Sequence, residues 1–181
     1  MTESTDREIL AEIAAGELGR FDELVDRYKG RLLKYLYSRV REFGTAEDLA
    51  QEVFLKVFRS PPRGGTGGGD GTVKTWLFRV ARNSATDYLR GVERRKRLMR
   101  LQSQEVVKEP TAAEMEEERL RVEGYLRELP VEQAEVVGLR VFGDLTVSEI
   151  AQVTGVGVAT VKSRMRYGLA KIAEILEKGR E

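Results

Sequence analysis

Apolar side chains recur every three or four residues along most of the chain, which is the spacing of one face of an α-helix. A short helix is predicted within residues 5–15, and a longer one begins at about Phe21 and is expected to end at Gly44. No stretch shows the strict apolar–polar alternation of a half-buried strand. The pattern therefore predicts an all-α protein. The apolar positions of the long helix are Phe21, Leu24, Val25, Tyr28, Leu32, Leu36 and Val40.

Two more helices are predicted before the middle of the chain. The first starts at Thr45 and stops at Ser60-Pro61-Pro62, since proline cannot continue a helix. The second covers residues 73–91, with Leu77, Val80, Ala81, Ser84 and Tyr88 facing inward. Its other face is positive and suits a nucleic-acid backbone, and an asparagine there can hydrogen-bond to an exposed base. This polar face carries Arg79, Arg82, Asn83, Thr86 and Arg90, and Trp76 either stacks on DNA or packs in the core.

The last third of the chain carries the strongest local signal. Thr146 and Glu149 have the spacing of a helix capping box, and Gly155 stands where a tight turn needs a positive φ. The next helix has an apolar stripe, so the segment predicts a helix-turn-helix that binds DNA. The alternative is a helical hairpin with a solvated cationic face. The apolar stripe comprises Val158, Val161, Met165, Leu169 and Ile172.

The outer face of this second helix has the layout expected of a recognition helix. Small and hydrogen-bonding groups stand where base edges would be, and cations stand on either side, where phosphates would be. The first set is Ala159, Thr160, Ser163 and Tyr167, and the second is Lys162, Arg164 and Arg166.

The elements group into two small helical domains joined by a flexible linker, and the C-terminal domain is the helix-turn-helix. We expect an N-terminal tail with a short helix over 1–20, a first domain over 21–95, a linker over 96–117 and a second domain over 118–178. The glycine-rich stretch 63–71 is interpreted as a flexible connector. It lacks the Gly-Lys-Ser/Thr ending of a phosphate-binding loop, and no strand precedes it.

Charge is balanced overall, with 31 basic and 30 acidic residues, but it is unevenly distributed. Residues 74–100 hold nine basic and two acidic side chains, whereas residues 103–123 hold seven acidic and three basic ones. This asymmetry favours a basic surface for phosphates beside an acidic connector.

Several classes of function are disfavoured by what the sequence lacks. The chain has no histidine, which is the commonest metal ligand and the commonest general base. It has no cysteine either, which excludes a disulfide framework and thiolate chemistry. We therefore expect no catalytic residue, no metal and no cofactor. No apolar run approaches the roughly 20 residues that cross a bilayer, and the acidic start does not resemble a signal peptide. We do not expect membrane insertion, and we expect a cytoplasmic location.

Three segments occur in an informative order: AEDLAQEVFLKVF (46–58), TWLFRVARNSATDYLR (75–90) and LRELPVEQAEVVGLRVFGDLTVSEIAQVTGVGVATVKSRMR (126–166). In that order the chain resembles the extracytoplasmic-function class of RNA polymerase sigma factors over about 20–100 and 118–178. The resemblance implies a non-catalytic specificity subunit. Its first domain, sigma region 2, would bind core polymerase and melt the −10 promoter element. Its second domain, sigma region 4, would read the −35 element.

The resemblance also assigns roles to residues. The helix 46–58 would contact polymerase, although a plain solvated face is the alternative, and helix 75–90 would meet the −10 element. It implies core RNA polymerase, promoter DNA and an anti-sigma factor as partners, with no small-molecule substrate. The linker would thread toward the polymerase active site or remain solvated. The implied polymerase contacts are Asp48, Gln51, Glu52 and Lys56; the −10 contacts are Trp76, Arg79, Arg82, Asn83, Thr86 and Arg90; the −35 contacts are Ala159, Thr160, Lys162, Ser163, Arg164, Arg166 and Tyr167.

Two other functions remain open at the level of sequence. A conventional helix-turn-helix regulator would dimerise and bind a palindrome with half-sites about 34 Å apart. An enzyme acting on nucleic acid would need a metal site or a general base, and no carboxylates cluster at metal-binding spacing.

Overall fold

The computed structural model describes residues 5–60, 72–100 and 124–178, and every regular element in those ranges is helical. The all-α prediction is confirmed. The glycine-rich stretch 63–71 and most of the predicted linker lie outside the described residues. Besides a short 3-10 helix at Leu18–Arg20 and helical residues at 124–127, the helices are α1 Asp6–Ala14, α2 Phe21–Val40, α3 Phe43–Arg59, α4 Val73–Arg100, α5 Val131–Val141, α6 Val147–Thr154 and α7 Val158–Lys178.

The N-terminal helix α1 is fixed to α2 by both apolar and polar contacts. Its Ile9 and Leu10 are buried, because they lie on the side that faces the core of the first unit. On its outer edge the Asp6 carboxylate accepts hydrogen bonds from Arg27, at 2.6 Å, and from the hydroxyl of Tyr28. The sequence prediction of a short helix within residues 5–15 is confirmed.

The boundary between α2 and α3 differs from the prediction. Helix α2 ends at Val40, Arg41 adopts a left-handed φ of 61°, and Glu42 caps α3. The backbone N–H groups of Gly44 and Thr45 donate to the Glu42 carboxylate at 2.9 and 2.5 Å. The hydrogen bonds from Thr45 and then Gly44 hold the pKa of Glu42 below its usual range. The prediction that Gly44 ends α2 is wrong, because this carboxylate satisfies the free N–H groups of the first turn of α3.

Helix α4 is the longest element and the centre of the first unit. Leu77, Phe78, Ala81 and Ala85 are fully buried along one side of it. The prediction that it ends at Gly91 is wrong, because it continues to Arg100. A glycine inside a helix costs only about 1 kcal/mol, and the arginines and lysine that follow are good helix formers. The basic end of the helix therefore extends beyond the core as a solvated rod.

The helix-turn-helix consists of α6 and α7. The Glu149 N–H donates to Thr146 Oγ1 at 3.2 Å, the Thr146 N–H donates to Glu149 Oε2 at 2.8 Å, and Gly155 has a φ of 74°. The predicted capping box and glycine turn are both confirmed. A Cβ at Gly168 would lie 3.0 Å from Val137 Cγ2, so the two helices α5 and α7 cross closely there.

The apolar stripe of α7 is shorter than predicted. Val161 is buried and Met165 and Ile172 are partly buried, in agreement with the prediction. Val158 and Leu169 are 42% and 51% exposed, so their predicted inward position is wrong. The reason is that α5 crosses α7 at Gly168, so the side of α7 in contact with α5 does not include Leu169.

The two units pack directly against one another. The rings of Tyr35 in α2 and Phe78 in α4 meet edge to face at 5.6 Å, and both side chains are fully buried. The second unit closes over them, because a Cβ at Gly143 would lie 3.1 Å from Phe78 and one at Gly138 would lie 3.8 Å from Tyr35. One continuous core therefore spans both units.

Candidate nucleic-acid and polymerase interfaces

The polar face of α4 forms one solvent-facing stripe beside the core. Trp76, Arg79, Asn83, Thr86 and Arg90 follow one another at intervals of three or four residues, so they share that stripe. Asn83 and Arg90 are exposed, whereas Trp76, Arg79 and Thr86 are half-buried at the edge. We call these five residues the α4 stripe. Asn83 and Arg90 are thus its most accessible members.

Trp76 packs against the core, as one of the two sequence alternatives proposed, and its stacking on DNA stays a prediction. It packs against the core while part of its side chain remains exposed. A base could stack on such an indole only where a face of the ring is exposed. The Arg79 Nε is buried and has no hydrogen-bond partner among the described residues.

Arg82 is separated from the other predicted −10 residues. It lies about one-ninth of a turn from Thr86 on the helix, on the side that faces the second unit. Its Nε donates to Glu135 Oε1 at 3.0 Å, and its Nη2 donates to Glu135 Oε2 at 3.4 Å. This two-pronged contact crosses from one unit to the other.

The recognition helix α7 presents its predicted face to solvent. Ala159, Thr160, Lys162, Arg166 and Tyr167 are exposed. Ser163 lies between Ala159 and Tyr167 on the same surface, Arg164 lies at its edge, and both are half-buried. The seven predicted −35 residues therefore lie on one accessible side of the helix.

Tyr167 does not stand alone on this face. The guanidinium carbon of Arg166 lies 4.9 Å from the centre of the Tyr167 ring, and its Nη2 donates to the Tyr167 hydroxyl at 3.2 Å. A cation stacked on an aromatic ring keeps its remaining N–H groups available for an acceptor. The pair can therefore act as one unit, with a flat apolar face and a positive edge.

The predicted polymerase residues lie on the exposed side of α3. Asp48, Gln51, Glu52 and Lys56 are all exposed. The Lys56 ammonium donates to the hydroxyl of Ser84 at 3.0 Å, so this residue also ties α3 to α4. The other three have no such internal bond described, which leaves their polar groups to solvent or a partner.

An apolar groove beside these residues was missed by the sequence reasoning. It lies between α2 and α3, has a volume of about 330 Å³ and includes Gln51 in its rim. Its lining includes Phe21, Phe54 and Leu55, and Leu55 is 47% exposed. The signal in the sequence is that α2 and α3 each carry more apolar residues than the face that packs against the other helix can hold. A groove of this kind suits the apolar side of a partner helix.

Comparison with known families agrees with this geometry. The sigma-70 region 2 family model matches residues 24–95, and the sigma-70 region 4 model matches residues 119–176. Together the two matches cover well over half of the chain. Each match covers most of one of the two helices with an exposed cationic face, α4 and α7.

Individual relatives span almost the whole chain. The RNA polymerase sigma-H factor of Pseudomonas aeruginosa is 28% identical over 177 residues, covering 91% of this chain and 90% of that protein. The ECF RNA polymerase sigma factor BldN of Streptomyces coelicolor is 30% identical over 174 residues, covering 93% of this chain and 65% of that protein.

The fold has a counterpart among solved structures. The structure of CnrH in complex with the cytosolic domain of CnrY matches with a TM-score of 0.71 at 25% identity, over 96% of this chain and 97% of that one. Among the helices that the structure describes here, none combines the length and apolar character required to cross a membrane.

Proposed function

The chain belongs to the extracytoplasmic-function class of the sigma-70 family and is a promoter-specificity factor, and we propose which of its residues perform each step of initiation. In this proposal residues 21–95 hold the polymerase and the −10 element, and residues 118–178 hold the −35 element. Residues 96–117 connect them, and residues 1–20 brace the first unit. The observation that carries the proposal is the presence of two separate exposed helix faces, on α4 and α7, that each combine cations with hydrogen-bonding groups.

The polymerase contact is proposed at α3. Asp48, Gln51, Glu52 and Lys56 would provide its polar part, and the neighbouring groove would accept an apolar side chain from the polymerase. An apolar centre with a polar rim is the usual anatomy of a specific protein interface.

Binding to core polymerase tests this directly. We expect the full chain to form a one-to-one complex, and we expect Glu52→Lys to weaken it about tenfold or more, since a reversed charge at a polar rim opposes the partner's complementary charge. The control is Glu174→Lys, which makes the same charge change at an exposed site on α7. Affinity measured by fluorescence anisotropy decides it. Absence of any complex between the unaltered chain and core enzyme would contradict the proposed function.

Strand opening is proposed to need no nucleotide hydrolysis. Unstacking a base costs a few kcal/mol, and contacts with the extruded base offset that cost. In this proposal the cations of the α4 stripe hold the backbone while Asn83 accepts or donates a hydrogen bond to the exposed base. Arg82 adds a further cation once it is free of Glu135. The protein itself then supplies binding and positioning and no catalytic step.

The two kinds of contact proposed for α7 have different signatures. Substituting Ser163 or Tyr167 by alanine is expected to change the preferred bases in the −35 element, with about 1–3 kcal/mol lost on the preferred sequence. Substituting Arg164 by alanine is expected to weaken binding to all sequences and lower the salt slope by about one. Binding to a library of −35 duplexes at several salt concentrations measures both. A change of base preference at Arg164 with an unchanged salt slope would show that its role is misassigned.

A protein inhibitor is proposed as a further partner. CnrH, which shares the fold at 25% identity, was solved with the cytosolic domain of another protein. An anti-sigma factor would act on this chain where RNA polymerase acts, in the cytoplasm. Copurification with the full chain from native cells tests this, and a chain that is recovered alone and is always active would count against it.

A further inference from the structure

Tyr167 and Arg166 are stacked on the exposed face of the recognition helix α7. The guanidinium carbon of Arg166 lies 4.9 Å from the centre of the ring, and its Nη2 donates to the Tyr167 hydroxyl at 3.2 Å. Consecutive residues of a helix point about 100° apart and do not normally meet. Both side chains therefore bend toward the direction midway between them, which is the direction of Ala159 and Ser163. The pair thus lies over the middle of the predicted base-facing side.

The helix backbone beneath this pair is held in place by α5. Gly168 follows Tyr167 directly, and a Cβ at Gly168 would lie 3.0 Å from Val137 Cγ2 and 3.5 Å from Gln133 Cβ. Such a close approach leaves α7 little room to shift or rotate at this point. A ring that stands on a fixed backbone and is held by a neighbouring cation has less freedom to lose than a free surface tyrosine. A contact with it therefore costs less conformational entropy.

The Tyr167 ring is accessible and long enough to reach a base. Its residue is 55% exposed, and it is the longest uncharged side chain on a face whose other uncharged members are Ala159, Thr160 and Ser163. The N-terminal residues of a recognition helix lie deepest in the major groove. Tyr167 stands in the third turn of α7, about 13.5 Å along the helix from Val158. At that position a long side chain is required to reach the base edges.

The chemistry of this face favours thymine. In the major groove thymine is the base that presents a methyl group, and apolar side chains contact it. Adenine is read by Asn or Gln and cytosine by Asp or Glu, and residues 158–167 contain none of these four residue types. The cations of the face serve phosphates or guanine. The Tyr167 ring, with the methyl groups of Ala159 and Thr160 on the same side, is left for an apolar partner.

We propose that Tyr167, held in place by Arg166, is a specificity-determining residue for the −35 element and recognises the C5-methyl group of one thymine. The proposal rests on the proposed function, because it takes α7 as the helix that enters the major groove. The ring packs on the methyl group, while the remaining N–H groups of Arg166 bind a phosphate beside it. Burial of one methyl group raises the affinity about fourfold.

Replacement of thymine by uracil tests the proposal, because uracil pairs as thymine does and lacks only the methyl group. The complex of the full chain with core polymerase is first presented with a pool of duplexes of random sequence. Each thymine in the upstream segment of the most enriched duplex is then replaced singly by uracil, and the affinity is measured again. We expect binding to weaken about fourfold at one thymine position.

Variants assign the methyl effect to the ring. With Tyr167→Ala the thymine and uracil duplexes should bind equally, whereas Tyr167→Phe should keep the fourfold difference, since it loses only the hydroxyl. Arg166→Ala should reduce the difference and lower the salt slope by about one, because it frees the ring and removes a phosphate contact. Leu169→Ala is the matched control. Leu169 is 51% exposed but lies about 200° from Tyr167 around the helix, so its loss should leave the difference unchanged.

Each comparison uses two duplexes on the same protein, so the ratio of affinities does not depend on the fraction of folded chain. A methyl effect that persists in Tyr167→Ala, or one that is lost in Tyr167→Phe, would overturn the proposal. An enriched upstream segment that lacks thymine, or that tolerates uracil at every position, would overturn it too while leaving the proposed function intact. If the unaltered chain with core polymerase enriches no duplex, the proposed function fails and the recognition of thymine fails with it.

Discussion

Replacing Phe78 by alanine is expected to lower the free energy of unfolding by about 3–5 kcal/mol, because the ring is fully buried and its removal leaves a cavity. The ring packs edge to face on Tyr35 and lies beneath Gly143, so α2, α4 and the Phe142–Thr146 turn lose contact at once. Since a domain of this size has a stability of about 5–15 kcal/mol, the variant should populate unfolded chain measurably. Urea unfolding followed by circular dichroism gives the value.

Leu98→Ala is the matched control for this effect. Leu98 lies on the same helix as Phe78 but is 58% exposed, so its truncation is expected to change stability by less than about 0.5 kcal/mol. Equal losses for the two variants would mean that the Phe78 ring is not part of a shared core. If the stability loss of Phe78→Ala disappears when the two units are separated, the burial of Phe78 depends on the second unit alone.

The local pattern of the sequence was enough to predict the helices and the helix-turn-helix. The capping box at Thr146 and Glu149 and the turn at Gly155 depend on residues within one or two turns of each other, so spacing alone identifies them. The exposed faces of α4 and α7 followed from helical periodicity for the same reason. The roles of these two faces toward DNA, and of α3 toward polymerase, stay predictions.

The sequence predictions were wrong where contacts with other parts of the fold determine the structure. Gly44 was expected to end a helix, but the Glu42 carboxylate starts α3 before it. Leu169 was placed in the core, but the close crossing at Gly168 turns it outward. Arg82 looked equivalent to Arg79 along the sequence, and only the approach of Glu135, 53 residues away, separates their roles. No periodicity within one helix reveals a partner on another.

Alanine at both Arg79 and Asn83 is expected to reduce open-complex formation by roughly 30-fold or more, since each polar contact to the nucleic acid is worth about 1–3 kcal/mol. Both residues lie on the α4 stripe, and neither pairs with Glu135 as Arg82 does. Lys171→Ala is the control, because it removes one positive charge from an exposed site on α7. Permanganate reactivity of unpaired thymines measures opening, and filter binding to closed duplex measures the remaining affinity.

A promoter with the −10 bases already unpaired separates capture from melting. If Asn83 binds an extruded base while Arg79 holds the backbone, the Asn83→Ala defect persists on this template, because the base contact is missing even when no unstacking cost remains. The Arg79→Ala defect instead diminishes as salt rises, because it originates in a phosphate contact that salt weakens in the unaltered protein too. Equal defects for the two single variants at every salt concentration and on both templates would show that the α4 stripe acts only through its charge, and Asn83 would then have no role in capturing a base.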